Sequence, residues 1–216
     1  MTEKHLGYYE VLDSFKAKEC PLCSFVKTRI EKYYDNLLYE NVNNIGFRER
    51  FYKNKGFCNH HTYKLLSYHD GLAVSLMHKD FLKDVIEESS KPKIRTLYKK
   101  TNNECIICEH AEETENIYIY ELTNFFNDFK MKDKYLQSEG FCIPHYRAII
   151  NLKKELPDWL KEFQLARYKE LLVQLYKYLE SNNVTNNKKE IILTGEEKLI
   201  WNKIIKTLYG YEGISG

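Results

Sequence analysis

The chain has 216 residues, 43% hydrophobic and 30% charged, and its 33 basic and 31 acidic side chains leave a net charge of only +2. Such a length can bury a core as one domain or two small ones, and the composition excludes a disordered tail. Near-balanced charge gives no electrostatic ground for nucleic acid or an anionic membrane as partner.

Four prolines and nine glycines are few for this length, which predicts long helices over a turn-rich β fold. The first twenty residues, MTEKHLGYYEVLDSFKAKEC, intersperse charges with apolar positions and hold no apolar run of signal-peptide length. No later window approaches the roughly 20 apolar residues that cross a bilayer. The expected location is therefore the cytoplasm, where thiols stay reduced and paired cysteines read as metal ligands or redox centres before structural disulfides.

Tyr9 and Leu12 mark a short lead-in helix, followed by ECPLC at 19–23. Beyond it Val26, Ile30, Tyr33 and Leu37 share one helical face, widened by Tyr34 and Leu38. GFCNHH at 56–61 precedes a short helix in HTYKLLSYHD. A longer helix in GLAVSLMHKDFLKDVIEESS takes its apolar positions from Leu72, Leu76, Leu82, Val85 and Ile86. SSKPK at 89–93 is the natural joint, and the pattern then begins again. Ile94 and Leu97 match the lead-in, and ECIIC at 104–108 matches ECPLC. Ala111, Tyr118, Leu122, Phe125 and Phe129 form the next face, before GFCIPH at 140–145. HYRAIINLKKEL and PDWLKEFQLARYKELLVQLYKYLES follow as helices, with Pro157 suited to a first turn. SNNVTNNKK at 181–189 is a polar loop. In the closing segment TGEEKLIWNKIIKTLYG, Thr194 and Glu197 have capping-box spacing and Gly210 supplies a stop.

The order predicts an all-α protein made by tandem duplication of a helical unit, with a C-terminal helix outside the repeat. Its expected divisions are a first repeat over 1–90, a second over 91–181, and a loop with C-terminal helix over 182–216. All six cysteines fall in the repeated motifs, with 34 residues between Cys23 and Cys58 and 33 between Cys108 and Cys142. Three cysteines and one histidine are a standard tetrahedral zinc set, and four protein ligands make a closed, structural shell. The matched spacing assigns Cys20, Cys23, Cys58 and His61 to one ion. Cys105, Cys108, Cys142 and His145 then take a second, so that each repeat holds its own zinc. Such a site carries formal charge −1, which helix N-termini would compensate.

A redox dithiol at a helix start is the competing reading of CPLC, but it expects a βαβ setting and leaves the recurrence of GFCxxH unexplained. Iron or an iron–sulfur cluster also accepts thiolates; zinc leads on ligand geometry. His60 faces Pro144 in the second copy and His110 faces Phe25, so neither is in register as a ligand. Gly56 and Gly140 allow a tight turn before the ligand helix, and Phe57 and Phe141 pack beneath it. Glu112, Glu113 and Glu115 read as an ordinary solvated helix face, and Tyr118 and Tyr120 as core and rim.

The lead-in YYEVLDSF, ECPLC, GFCNHH, the GLAVSL helix, ECIIC and GFCIPH together resemble a bacterial family catalogued as a domain of unknown function. That resemblance covers most of the chain and implies repeat, fold and metal, with no activity attached. The expected function is a non-catalytic, zinc-stabilised helical module binding a protein or peptide in a groove between the repeats. A thiol redox or zinc-release sensor is the alternative from the regulatory class, and an enzyme with a small-molecule site between the repeats is a third. No Gly-rich phosphate loop, GxSxG elbow or HExxH occurs.

Overall fold

Side chains that accept hydrogen bonds from exposed backbone N–H groups set the starts of helices at Asn44, Cys58, Asp70 and Asp128. A computed structural model describes residues 6–91, 105–153, 155–182 and 192–213, all helix or connection, with no strand among them. In the first half lie α1 (Leu6–Ser14), α2 (Pro21–Asn36), α3 (Ile45–Lys53), α4 (Asn59–Leu66) and α5 (Gly71–Ser89). In the second lie α6 (Ile106–Asn124), α7 (Phe129–Leu136), α8 (Ile143–Leu152) and α9 (Asp158–Ser181), and α10 (Ile200–Tyr209) closes the chain. From α2 against α6 to α5 against α9 the two halves repeat the same element order. The expected second lead-in at Ile94 and Leu97, and most of the SNNVTNNKK loop, lie outside the described residues.

Two helices depart from expectation. Between each long helix and its GFCxxH motif the structure inserts a short helix, α3 or α7. Asn44 Oδ1 accepts the Phe47 N–H at 3.0 Å and Asp128 Oδ1 accepts that of Met131 at 3.0 Å, so each caps a fresh helix. The apolar face of α6 accordingly ends at Phe125, which is buried, while Phe129 opens α7 in solvent. A turn of π-helix, Leu37–Asn41, extends α2. The capping box forms as spaced: Glu197 N–H donates to Thr194 Oγ1 at 3.2 Å and Thr194 N–H to Glu197 Oε2 at 2.8 Å. Gly210 ends α10 at φ +79°.

The compact units cut across the sequence repeats. One consists of Met1–Val26 with Glu115–Gly216, the other of Lys27–Thr114. The boundary falls inside α2 and α6, so each of these helices contributes to both units. In the first unit Tyr135 is fully buried and its ring meets Phe15, Phe141, Trp159 and Phe163 at centroid distances of 5.0–5.8 Å. Tyr8 packs edge-on against Phe125 and donates to Asp128 Oδ1 at 2.8 Å. In the second unit Phe51 gathers Phe47, Phe57 and Phe81 within 5.7 Å. Offset and edge-to-face ring pairs of this kind each contribute about 0.5–1.5 kcal/mol beyond the area they bury.

Of the face expected on α2, Val26, Ile30 and Leu37 are buried together with Tyr34, whereas Tyr33 and Leu38 are only half-buried. On α5 it is not: Ala73, Met77 and Phe81 are buried, whereas Leu72, Leu82 and Ile86 are exposed. The periodicity of α5 supports either stripe, and the aromatic cluster around Phe51 takes the one bearing Phe81. No described helix is long and apolar enough to cross a membrane.

Candidate metal centres

The eight expected ligands occupy equivalent positions on four helices. Cys20, Cys105, Cys58 and Cys142 stand immediately before α2, α6, α4 and α8, and each carbonyl accepts the first helical hydrogen bond at 2.9–3.0 Å. Cys23, Cys108, His61 and His145 sit three residues on, one turn into the same helices. Each motif thus presents two donor atoms at a helix N-terminus, where free N–H groups and the positive dipole end favour negative charge. Cys58 also caps its own helix, its Sγ accepting the His61 N–H at 3.5 Å.

Both sets gather as three cysteines and one histidine, but in crossed combination. Cys20, Cys23, Cys142 and His145 form cluster 1; Cys58, His61, Cys105 and Cys108 form cluster 2. The expectation that each repeat supplies all four ligands of its own site is therefore corrected: CxxC of one repeat stands with CxxH of the other. The spacings within and across repeats are equally permissive, so helix packing decides the combination. Leu22 and Val26, beside the first CxxC, are buried in the unit that contains α8.

The sulfur separations suit a tetrahedral ion, and the sulfur–nitrogen separations are a few tenths of an ångström shorter than one needs. Ligand bonds of about 2.3 Å to sulfur and 2.0–2.1 Å to nitrogen require S···S separations near 3.8 Å and S···N near 3.6 Å. Observed Sγ···Sγ separations are 3.7 Å for Cys23–Cys142 and 3.8 Å for Cys58–Cys108. His145 Nδ1 lies 3.1, 3.3 and 3.4 Å from the sulfurs of Cys142, Cys23 and Cys20. His61 Nδ1 lies 3.1, 3.3 and 3.5 Å from those of Cys58, Cys108 and Cys105. A disulfide would need about 2.05 Å between sulfurs, and all six cysteines are free.

The electrostatics of the donors point the same way. Burial pushes the Cys20 thiol up, but hydrogen bonds from Cys142, Cys23 and His145 outweigh it and hold the thiol well below its ordinary range. Cys23 is pushed up by its bonds with Cys142 and Cys20 and by burial, and Cys142 chiefly by its bond with Cys20. In cluster 2 burial again opposes the His61 hydrogen bond, and Cys105 settles at about 6, while burial and the charges of Cys105 and Cys58 raise Cys108. Crowded sulfurs cannot all ionise by themselves; a divalent cation at their centre removes that conflict.

Two supporting residues carry no signal in the sequence. Glu115, expected on a solvated face, is only 16% exposed, and its Oε1 lies 3.4 Å from His145 Nε2. That contact leaves Nδ1 to face the sulfurs; burial lowers the His145 pKa, but its bonds to Cys142, Cys20 and Glu115 lift it to about 12. A carboxylate behind a ligating histidine fixes ring orientation and tautomer. Gln164 holds the GFC turn: its Oε1 accepts the Phe141 N–H at 2.8 Å and its Nε2 donates to the Phe141 carbonyl at 2.9 Å. Gly140, at φ +74°, sits in the left-handed region that strains other residues, and a Cβ there would press on Gln164 Oε1 at 3.1 Å; Gly56 in the other copy has φ +81°. Phe57 and Phe141 are buried as expected. His60 and His110 belong to neither cluster, and His110 instead stacks on Tyr33. Tyr118 is core, donating or accepting with Ser14 Oγ at 2.8 Å, and Tyr120 is exposed.

The chain is 26% identical, over 93% of its own length and 99% of the relative's, to an uncharacterized 23.9 kDa protein in the xynA 3′ region of Caldicellulosiruptor sp. (strain Rt8B.4). No solved structure matches it. Residues 2–96 and 87–190 each match one and the same family. Covering residues 2–190 in two segments, the match places this protein in the family of unknown function DUF6062.

Proposed function

We propose that the chain is a non-catalytic helical module that holds two structural zinc ions and binds a protein or peptide partner. The observation that carries the metal reading is the pair of Cys3His sets at helix N-termini, with sulfur separations of tetrahedral zinc size. Four protein ligands leave no position for a reacting water, which is the pattern of structural zinc. The recess beside Cys20, Cys23 and Cys142 of cluster 1 has a volume of about 40 Å³, room for a few waters. Purified protein should contain two zinc ions per chain, with three sulfurs and one nitrogen around each in X-ray absorption spectra. Iron in their place, or oxygen-dominated coordination, would refute the reading.

The partner surface follows from the apolar trough of about 350 Å³ lined by Ile143, Tyr168, Leu171, Leu172, Leu175, Ile204, Thr207 and Leu208. It lies where α10 meets α8 and α9, and we take it as the partner surface in preference to a groove between the repeats. The same two helices, α9 and α10, also expose Val173, Tyr176, Trp201 and Ile205. A trough of that lining suits the apolar face of an amphipathic helix. Displayed peptide libraries selected on the protein, and counter-selected on Leu172→Glu, should yield sequences with apolar residues at i, i+3 or i+4, and i+7. Enrichment without that spacing, or equal enrichment on the variant, would reject this surface.

A further inference from the structure

The clusters share ligand types and helix positions but not surroundings. In cluster 1 Cys23, Cys142 and His145 are buried, and Glu115 backs the histidine. Lys203, Lys206 and Thr207 of α10 wall the recess above Cys20 and Cys142. In cluster 2 Cys105 and His61 are buried, Cys58 is half-buried and Cys108 is exposed. Repeat register puts Ile30 where cluster 1 has Glu115, so no carboxylate stands behind His61 at that position. The α9 positions that seat α10, Leu171, Leu172 and Leu175, correspond to Asp84, Val85 and Glu88 of α5, so α5 has no apolar seat for a helix like α10.

We propose that cluster 2 is a releasable zinc site, opened by hydroperoxides, while cluster 1 stays loaded. The proposal rests on the reading of both clusters as zinc sites. Cys108, the exposed ligand, attacks one peroxide oxygen; the O–O bond breaks, the other oxygen leaves as water or alcohol with a proton, and a sulfenic acid remains on Cys108. The Cys58 thiolate, 3.8 Å away, then attacks that sulfur. An S–S bond forms, the S–O bond breaks, and the hydroxide departs as water after taking a second proton. Two electrons pass from the sulfur pair to the peroxide. Zinc, left with Cys105 and His61, is released to solvent.

The test titrates full-length, zinc-loaded protein with hydrogen peroxide in the presence of a zinc-binding dye, and maps cysteines by differential alkylation and mass spectrometry. The starting zinc content judges the underlying reading separately: a chain that never holds two ions refutes that reading whatever peroxide does. With two ions bound, one should leave first. The second should follow roughly ten- to a hundredfold more slowly, the scale associated with the hydrogen-bond partner of a ligating histidine. The first product should be a Cys58–Cys108 disulfide, with Cys20, Cys23 and Cys142 still alkylated as thiols. Simultaneous loss of both ions, no loss at peroxide concentrations that oxidise a free thiol, or any other first product overturns the proposal.

Discussion

Replacing Cys58 with serine separates crossed from local ligation in one experiment. Serine keeps a capping oxygen for α4, so the helix start survives while a sulfur ligand 3.1 Å from His61 Nδ1 and 3.8 Å from Cys108 Sγ is lost. Structural zinc in small peptides contributes on the order of 10–16 kcal/mol over four ligands, so one ligand accounts for about 3 kcal/mol, roughly a hundredfold in affinity. Under a chelator poised between the two affinities, metal content should fall from two ions to one. Thiol labelling of the native variant should then find Cys105 and Cys108 newly reactive, because they share cluster 2 with Cys58. Cys20 and Cys23 should stay protected by Cys142 and His145. Cys142→Ser should reverse the pattern and free Cys20 and Cys23. If Cys58→Ser instead frees Cys20 and Cys23, ligation is local to each repeat and the crossed assembly is refuted.

Gln164→Leu removes the clamp on both backbone groups of Phe141 and a partner of Tyr135, whose hydroxyl donates to Gln164 Oε1 at 2.7 Å. With a penalty of about 1–3 kcal/mol for each buried polar group left unpaired, denaturant unfolding should show a loss of several kcal/mol, and a loss below about 1 kcal/mol would deny the clamp its role. Glu139 pairs with Arg167 and, at 2.6 Å, with Lys203 of α10. Burial raises its pKa, but the Lys203 and Arg167 contacts outweigh it and leave the group below the ordinary 4.5. A carboxylate with depressed folded pKa stabilises above its unfolded value and loses that contribution as pH falls through the folded one. Glu139→Gln should therefore destabilise at pH 7, and the gap to wild type should close as pH drops below about 4; a gap that widens with acid would contradict the assignment.

Local chemistry written into neighbouring residues is legible in the amino-acid sequence. The four helix starts bearing ligands, the Thr194–Glu197 box, the glycine turns at 56 and 140 and the buried face of α2 each depend on residues within a few positions of one another, and sequence records such relations directly. The identity of the eight donors is equally legible, because the same residue types recur at the same offsets. Short helices α3 and α7 are hidden in the pattern although Asn44 and Asp128 announce them, since apolar periodicity runs on past both caps.

Tertiary structure alone decides which CxxC meets which CxxH. The loops from either CxxC are long enough to reach either partner, and loop-closure entropy changes too slowly with length to discriminate between them; burial of α2 and α6 side chains makes the choice. The same packing turns Glu115 from a solvated carboxylate into the support of His145, and selects Phe81 over Leu82 on α5. It also seats α10 on α8 and α9, beside one cluster of the pair. A metal site needs particular donor atoms, so the candidate donors are written into the residues themselves; their partnership is a choice among distant surfaces of nearly equal local chemistry, and only packing makes it.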